Sequence, residues 1–196
     1  APAVKSVLSQ CSSQNVTNIA WAYAVANVND PVLFNTDFVA ALQAKANDFG
    51  MEECRQLHQW QLWQVELKSG INLPPALREK CRQAFDLRLP QPSNLQDDVI
   101  SVLSSIGMSP EEEVLTLSGY RLDALVEVNG EKVGIEVDGP SHFVCRKPTG
   151  STLLKNRQVN TLDEIQVISV PYWEWNKLGN DHVKKQMYLR AKLGLS

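Results

Sequence analysis

Ten residues, Gly134-Ile135-Glu136-Val137-Asp138-Gly139-Pro140-Ser141-His142-Phe143, restrict the fold of this chain more than any other stretch. Val133, Ile135 and Val137 alternate with Gly134, Glu136 and Asp138, the period of two of a half-buried strand. Gly139-Pro140 ends it, since Gly tolerates positive φ and Pro cannot donate to a sheet ladder. Glu136 and Asp138 are two apart, so both carboxylates leave the same face. His142 follows within one turn, which collects three titratable groups at the C-terminal end of a strand.

An acidic pair of this kind can also be a solvated edge, but the flanks are too apolar for a free one. A second strand, Tyr120 to Val128, precedes through Asn129-Gly130, a strong hairpin signal. It carries Asp123 near its start, and the hairpin can bring Asp123 close to Glu136 and Asp138. Three carboxylates on one face repel unless a cation, a lysine or a proton holds them.

The chain of 196 residues has a net charge of −3, so the molecule as a whole is not a basic nucleic-acid clamp. Cys11, Cys54, Cys81 and Cys145 are far apart with no CxxC, which fits reduced thiols in an intracellular or organellar compartment and gives no zinc pattern. No apolar run approaches a membrane span, so no membrane insertion is expected. Ala1-Pro2-Ala3-Val4 resembles neither a signal peptide nor an Arg-rich transit peptide, and reads as a processed end or the tail of a longer chain.

Residues 1–90 read as helices: Val16 to Val28, Thr36 to Ala46 with Thr36 as a cap, Glu52 to Leu67, and one opening at Pro74-Pro75. The first and third share a pattern with an offset of about 39 residues, as do the second and fourth, in the range of helical-hairpin repeats. The expectation is therefore an α-solenoid-like repeat region, with an ordinary bundle as the alternative. Pro90 and Pro92 mark the boundary.

Residues 91–196 change character. Ser93-Asn94-Leu95-Gln96 is a capping-box pattern opening a helix through Ile106. Strands follow at Glu113 to Leu117, Tyr120 to Val128 and around Glu136, then a helix from Ser151 to Leu162 and a strand at Ile165 to Pro171. Tyr172-Trp173-Glu174-Trp175 alternates aromatics on the end of that strand. A closing helix, Asp181 to Leu193, is expected to turn Val183, Met187 and Leu189 or the Arg190 stem inward. A strand, a helix and another strand make a crossover, so the expected class is α+β, with an α/β domain whose mixed sheet is flanked by helices.

The order α-β-β-β-α-β, an acid on the second strand and Glu136-Val137-Asp138-Gly139 on the third resemble the restriction-endonuclease-like fold. More closely, four ordered blocks resemble the RAP domain: Tyr120-Arg121-Leu122-Asp123; Ile135 to Phe143; Thr149-Gly150-Ser151-Thr152-Leu153-Leu154-Lys155-Asn156-Arg157; and Val170-Pro171-Tyr172-Trp173-Glu174-Trp175. The likeness covers roughly Leu117 to Leu193, and the helical half is similar to the degenerate repeats that precede RAP domains in organellar proteins. The family is named for RNA-binding proteins abundant in apicomplexans. The resemblance implies an organellar RNA-binding protein, mitochondrial or alternatively in a plastid. It would act on rRNA or mRNA in processing, stability or translation, beside other proteins of a ribonucleoprotein such as the mitochondrial ribosome.

The nuclease-like fold also raises an alternative, a metal-dependent endoribonuclease. Asp123 and Glu136 fall on its two acid positions and would hold Mg²⁺, the one cofactor considered; without catalysis none is expected. The usual lysine, two residues after the Glu, is Asp138 here, a departure that speaks against hydrolysis. The nuclease alternative would therefore use Asp123, Glu136 and Asp138, with Lys155 taking the lysine's place in space, and His142 could serve as a base. Binding needs fewer coincidences. From Arg146 onward nine residues are positive (Arg146, Lys147, Lys155, Arg157, Lys177, Lys184, Lys185, Arg190, Lys192) against four negative. His142, Arg146, Lys147, Lys155 and Arg157 are candidate phosphate contacts, and Trp173 and Trp175 candidate stacking platforms.

Overall fold

The computed structural model describes residues 10–87 and 93–195. The chain divides into two compact units between residues 88 and 89. The expectations for Ala1 to Val4 and for the boundary at Pro90 and Pro92 lie outside the described residues.

The first unit is helical: α1 (Ser13–Ala26), α2 (Thr36–Ala44), α3 (Met51–Glu66) and α4 (Pro75–Asp86). α3 packs against both α1 and α4. Its Trp60 and Trp63 are fully buried and meet Phe34, while Phe38 of α2 reaches Trp60. α2 is capped by Asn35, whose side chain accepts from the N–H groups of Asp37 and Phe38, so Thr36 is the first helical residue rather than the cap. α1 ends at Asn27 in the left-handed region, and Val28, the expected last residue of that helix, is exposed beyond it.

The second unit is α+β. α5 (Asn94–Ser105) is followed by β1 (Glu111–Leu115), β2 (Arg121–Val128) and β3 (Glu131–Asp138), then a 3₁₀ turn (Pro140–His142) and a small hairpin, β4 (Phe143–Val144) and β5 (Lys147–Pro148). α6 (Gly150–Leu162), β6 (Gln166–Pro171), α7 (Tyr172–Asn176) and α8 (His182–Lys192) complete it. The main sheet has the order β1-β2-β3-β6, antiparallel except for the parallel β3–β6 pair that the α6 crossover requires. The expected mixed sheet is therefore present. Ala124, Val126, Val128, Val133 and Ile135 face Val99, Val102 and Leu103 of α5, together with Trp175 and Leu189.

Four local expectations change. β3 is not half-buried but covered on both faces, as the inner partner of a parallel pair is. Ser93 caps α5 through Gln96 N–H, yet the Gln96 side chain turns to Glu113 Oε1 (2.9 Å) instead of closing a reciprocal box. The aromatic run after Pro171 is the short helix α7, so Trp173 and Trp175 do not alternate across a strand. On α8 the inward residues are Leu189 and Lys185, while Val183 and Met187 are exposed.

Candidate nucleic-acid interface

The site is built at the C-terminal end of β3, beneath α6. Glu136 and Asp138 are only 3% and 1% exposed, so these carboxylates are core groups and not a solvated edge. Lys155, on the second turn of α6, places Nζ 2.5 Å from Glu136 Oε2 and donates to the Arg121 carbonyl at 2.7 Å. Glu136 Oε1 is buried with no hydrogen-bond partner. Burial drives the Glu136 carboxyl up to about 7 despite the Lys155 ammonium beside it, with Asp123 adding to the rise. Asp123 is also raised, by burial, although its Oδ2 accepts the Val137 N–H at 2.6 Å. The hairpin thus brings Asp123, Glu136 and Asp138 into one neighbourhood, with Lys155 as the neutralising cation.

Asp138 is committed differently. Its Oδ1 lies 2.9 Å from His142 Nδ1, and its Oδ2 accepts from the Ser169 hydroxyl. Ser169 is the Cα partner of Glu136 across the parallel pair, so the register of β6 fixes the Asp138 carboxylate. The hydrogen bond to Asp138 raises the His142 imidazole above its ordinary range, against the opposing effect of burial. His142 remains 42% exposed at its side chain. Its carbonyl accepts from Thr149 N–H at 2.8 Å, which pins the base of the β4–β5 hairpin to the start of α6. Ser169 and Thr149 were not singled out from sequence; a lone hydroxyl inside the apolar run Ile165 to Pro171 was the available signal for the first.

Glu136 Oε2 holds the Lys155 ammonium and Asp123 Oδ2 a backbone N–H, while Glu136 Oε1 has no hydrogen-bond partner. Among the described residues no group of three His, Cys, Asp or Glu is arranged to hold a metal.

The basic stretch resolves into two kinds of residue. Lys155 pairs with Glu136, Lys184 with Asp181, Lys185 with Asp98 and Lys192 with Glu174. Arg146 and Lys147 are exposed on the β4–β5 hairpin and meet no carboxylate among the described residues. Arg157 is half-buried on α6, two residues from Lys155, so the two do not share a face. The stacking role expected of Trp175 is corrected by its burial. Trp175 is 2% exposed, its Nε1 donates to Asp98 Oδ2 at 2.7 Å, and Lys185 Nζ sits 5.3 Å from its ring centroid. Trp173 is half-buried, meets Phe143 edge-on at 4.2 Å between centroids, and has the Arg146 guanidinium 6.0 Å from its own. Phe143 and Arg146 therefore meet Trp173 at one face of the hairpin, Lys147 pairs across the hairpin with Val144 on the other face, and Trp175 is buried.

The RAP domain family model matches residues 135–192, from β3 through α8. The chain is also 29% identical over 192 residues to a chloroplastic RAP domain-containing protein of Oryza sativa subsp. japonica, an alignment covering 91% of this chain and 29% of that relative. The chain thus spans less than a third of the length of the curated relative it matches. The strand that carries the acidic cluster, the hairpin, the α6 crossover and the two closing helices are together the segment matched, and the chain carries a RAP domain.

Proposed function

We propose that this chain is an organellar RNA-binding protein that acts in RNA processing, stability or translation within a ribonucleoprotein such as an organellar ribosome. The observation that carries the reading is the RAP match over residues 135–192. It falls on a domain whose exposed hairpin presents Arg146 and Lys147, without a carboxylate partner among the described residues, beside half-exposed His142. Phosphate contacts require such unpaired cations. The chloroplastic relative supports an organelle, and makes a plastid a location to set beside the mitochondrion.

The helical unit supports a repeat reading. At an offset of 39 residues, Ala24 and Trp63, Phe38 and Leu77, and Leu42 and Cys81 are all buried. The α-β-β-β-α-β order with a mixed sheet supports descent from an endonuclease-like fold. The buried Glu136–Lys155 pair supports a structural use of the acids once suited to a metal. Binding of labelled RNA by the purified chain as a function of salt tests the proposal. Changing Arg146 and Lys147 to Gln should weaken binding and lower the log–log salt slope by about 1 for each phosphate that is no longer neutralised. An unchanged slope would move the interface elsewhere, and no binding at all would refute the reading.

A further inference from the structure

The hairpin has a shape that phosphate attraction alone does not explain. Its two turn residues, Cys145 and Arg146, are both in the left-handed region, with φ of 50° and 63°. Neither is Gly, Asn or Asp, the residues that adopt this conformation at least cost. The turn is nevertheless held. Thr149 N–H donates to the His142 carbonyl at the hairpin base, Phe143 packs its ring against Trp173, and Arg146 folds back over the same indole. Trp173 is itself fixed from behind by Tyr172, edge-on at 5.3 Å. An immobilised indole thus has a cationic guanidinium standing over it.

We propose that Trp173 and Arg146 form a seat for one unpaired RNA base. This deepens the RNA-binding reading and rests on it. The guanidinium carbon stands 6.0 Å from the Trp173 centroid, and a swing of this one exposed side chain opens the ring face for a base to enter between them. The base then lies between an indole and a guanidinium, the two groups that stack on nucleobases most readily. The ligand class is single-stranded RNA, because a base in a duplex is already stacked and cannot enter. No sequence preference is implied, since every base has a π-face.

The test uses the full chain and two fluorescein-labelled probes of one mixed sequence, a 12-nucleotide single strand and its duplex, followed by anisotropy at fixed salt. The wild-type chain should hold the single strand at least tenfold more tightly than the duplex. Trp173→Ala should weaken the single strand about tenfold, the range expected when one base no longer stacks on an aromatic ring, with the salt slope unchanged. Trp173→Phe, which keeps a stacking face and the packing against Phe143, should restore most of the affinity. Because Trp173→Ala removes a packing group, a second arm leaves the protein intact: single strands carrying one abasic site, moved along the probe, should show a position where binding falls. Equal binding of single strand and duplex, with Trp173→Ala like wild type and no abasic position sensitive, overturns the seat while leaving RNA binding standing. No retention of either probe overturns RNA binding and the seat together.

Discussion

Lys155→Met is the most informative perturbation of the acidic cluster. Met keeps most of the buried stem and removes only the ammonium 2.5 Å from Glu136 Oε2. The Glu136 carboxyl lies at about 7 in the folded chain and 4.5 in an unperturbed one, so the folded state holds its proton more tightly. The stability this contributes is present below pH 4.5 and is lost as pH rises through 7. Without the ammonium the folded carboxyl moves higher still, and the loss continues above pH 7. Wild type and Lys155→Met should then diverge progressively as pH rises above 7, with a slope bounded by the roughly 1.4 kcal/mol per pH unit that a single proton sets. A pH-independent loss of about 1 kcal/mol for the hydrogen bond to the Arg121 carbonyl adds to this. The assay is equilibrium urea unfolding at pH 6, 7, 8 and 9, followed by amide NMR signals of β2 and β3, which report the second unit alone. In a Glu136→Gln background the effect of Lys155→Met should not depend on pH. A difference between wild type and Lys155→Met that stays constant from pH 6 to 9 would refute the coupling of a buried carboxyl to this lysine.

Three further outcomes follow from the packing. Asp138→Asn removes the charged acceptor of His142 Nδ1 and should lower the imidazole pKa, read by NMR titration; an unmoved midpoint would remove Asp138 as the cause of the upward shift. Gly134→Ala would put a Cβ 3.0 Å from Leu122 Cδ1 on a strand with both faces covered, and should cost about 1–3 kcal/mol by urea unfolding. Trp175→Phe keeps much of the ring volume but leaves Asp98 without the indole donor; burial raises that carboxyl, while Lys185 and Trp175 together pull it below its usual range, so its titration should move upward.

The sequence disclosed the parts governed by local chemistry. The Asn129-Gly130 turn has φ of 54° and 84° and closes β2 on β3 as its residue types require. Ser93 accepts from the Gln96 N–H, as its side chain favours. Decisions made by distant partners were not legible. β3 alternates like a half-buried strand, but the crossover sets β6 along its edge and brings α6 over its polar face, so the acids became core groups. Lys185 reads as a solvated residue and is buried because Asp98 and the Trp175 ring receive its charge, and this rotates α8 away from the stripe of Val183 and Met187. The positive stretch holds nine cations, yet four of them are held by carboxylates far away or one helical turn off, and only the structure separates these from Arg146 and Lys147.

The most direct test of RNA binding without catalysis is to incubate the purified chain with labelled structured and unstructured RNA in Mg²⁺ or Mn²⁺, and in EDTA. Asp123→Ala and Glu136→Ala variants that remain folded by circular dichroism run beside it. The expected result is RNA retention that weakens with salt, is indifferent to EDTA, leaves the RNA intact and persists in both variants. Cleavage that requires the metal and disappears in both variants would contradict it, and would make the cluster of Asp123, Glu136 and Lys155 a catalytic centre.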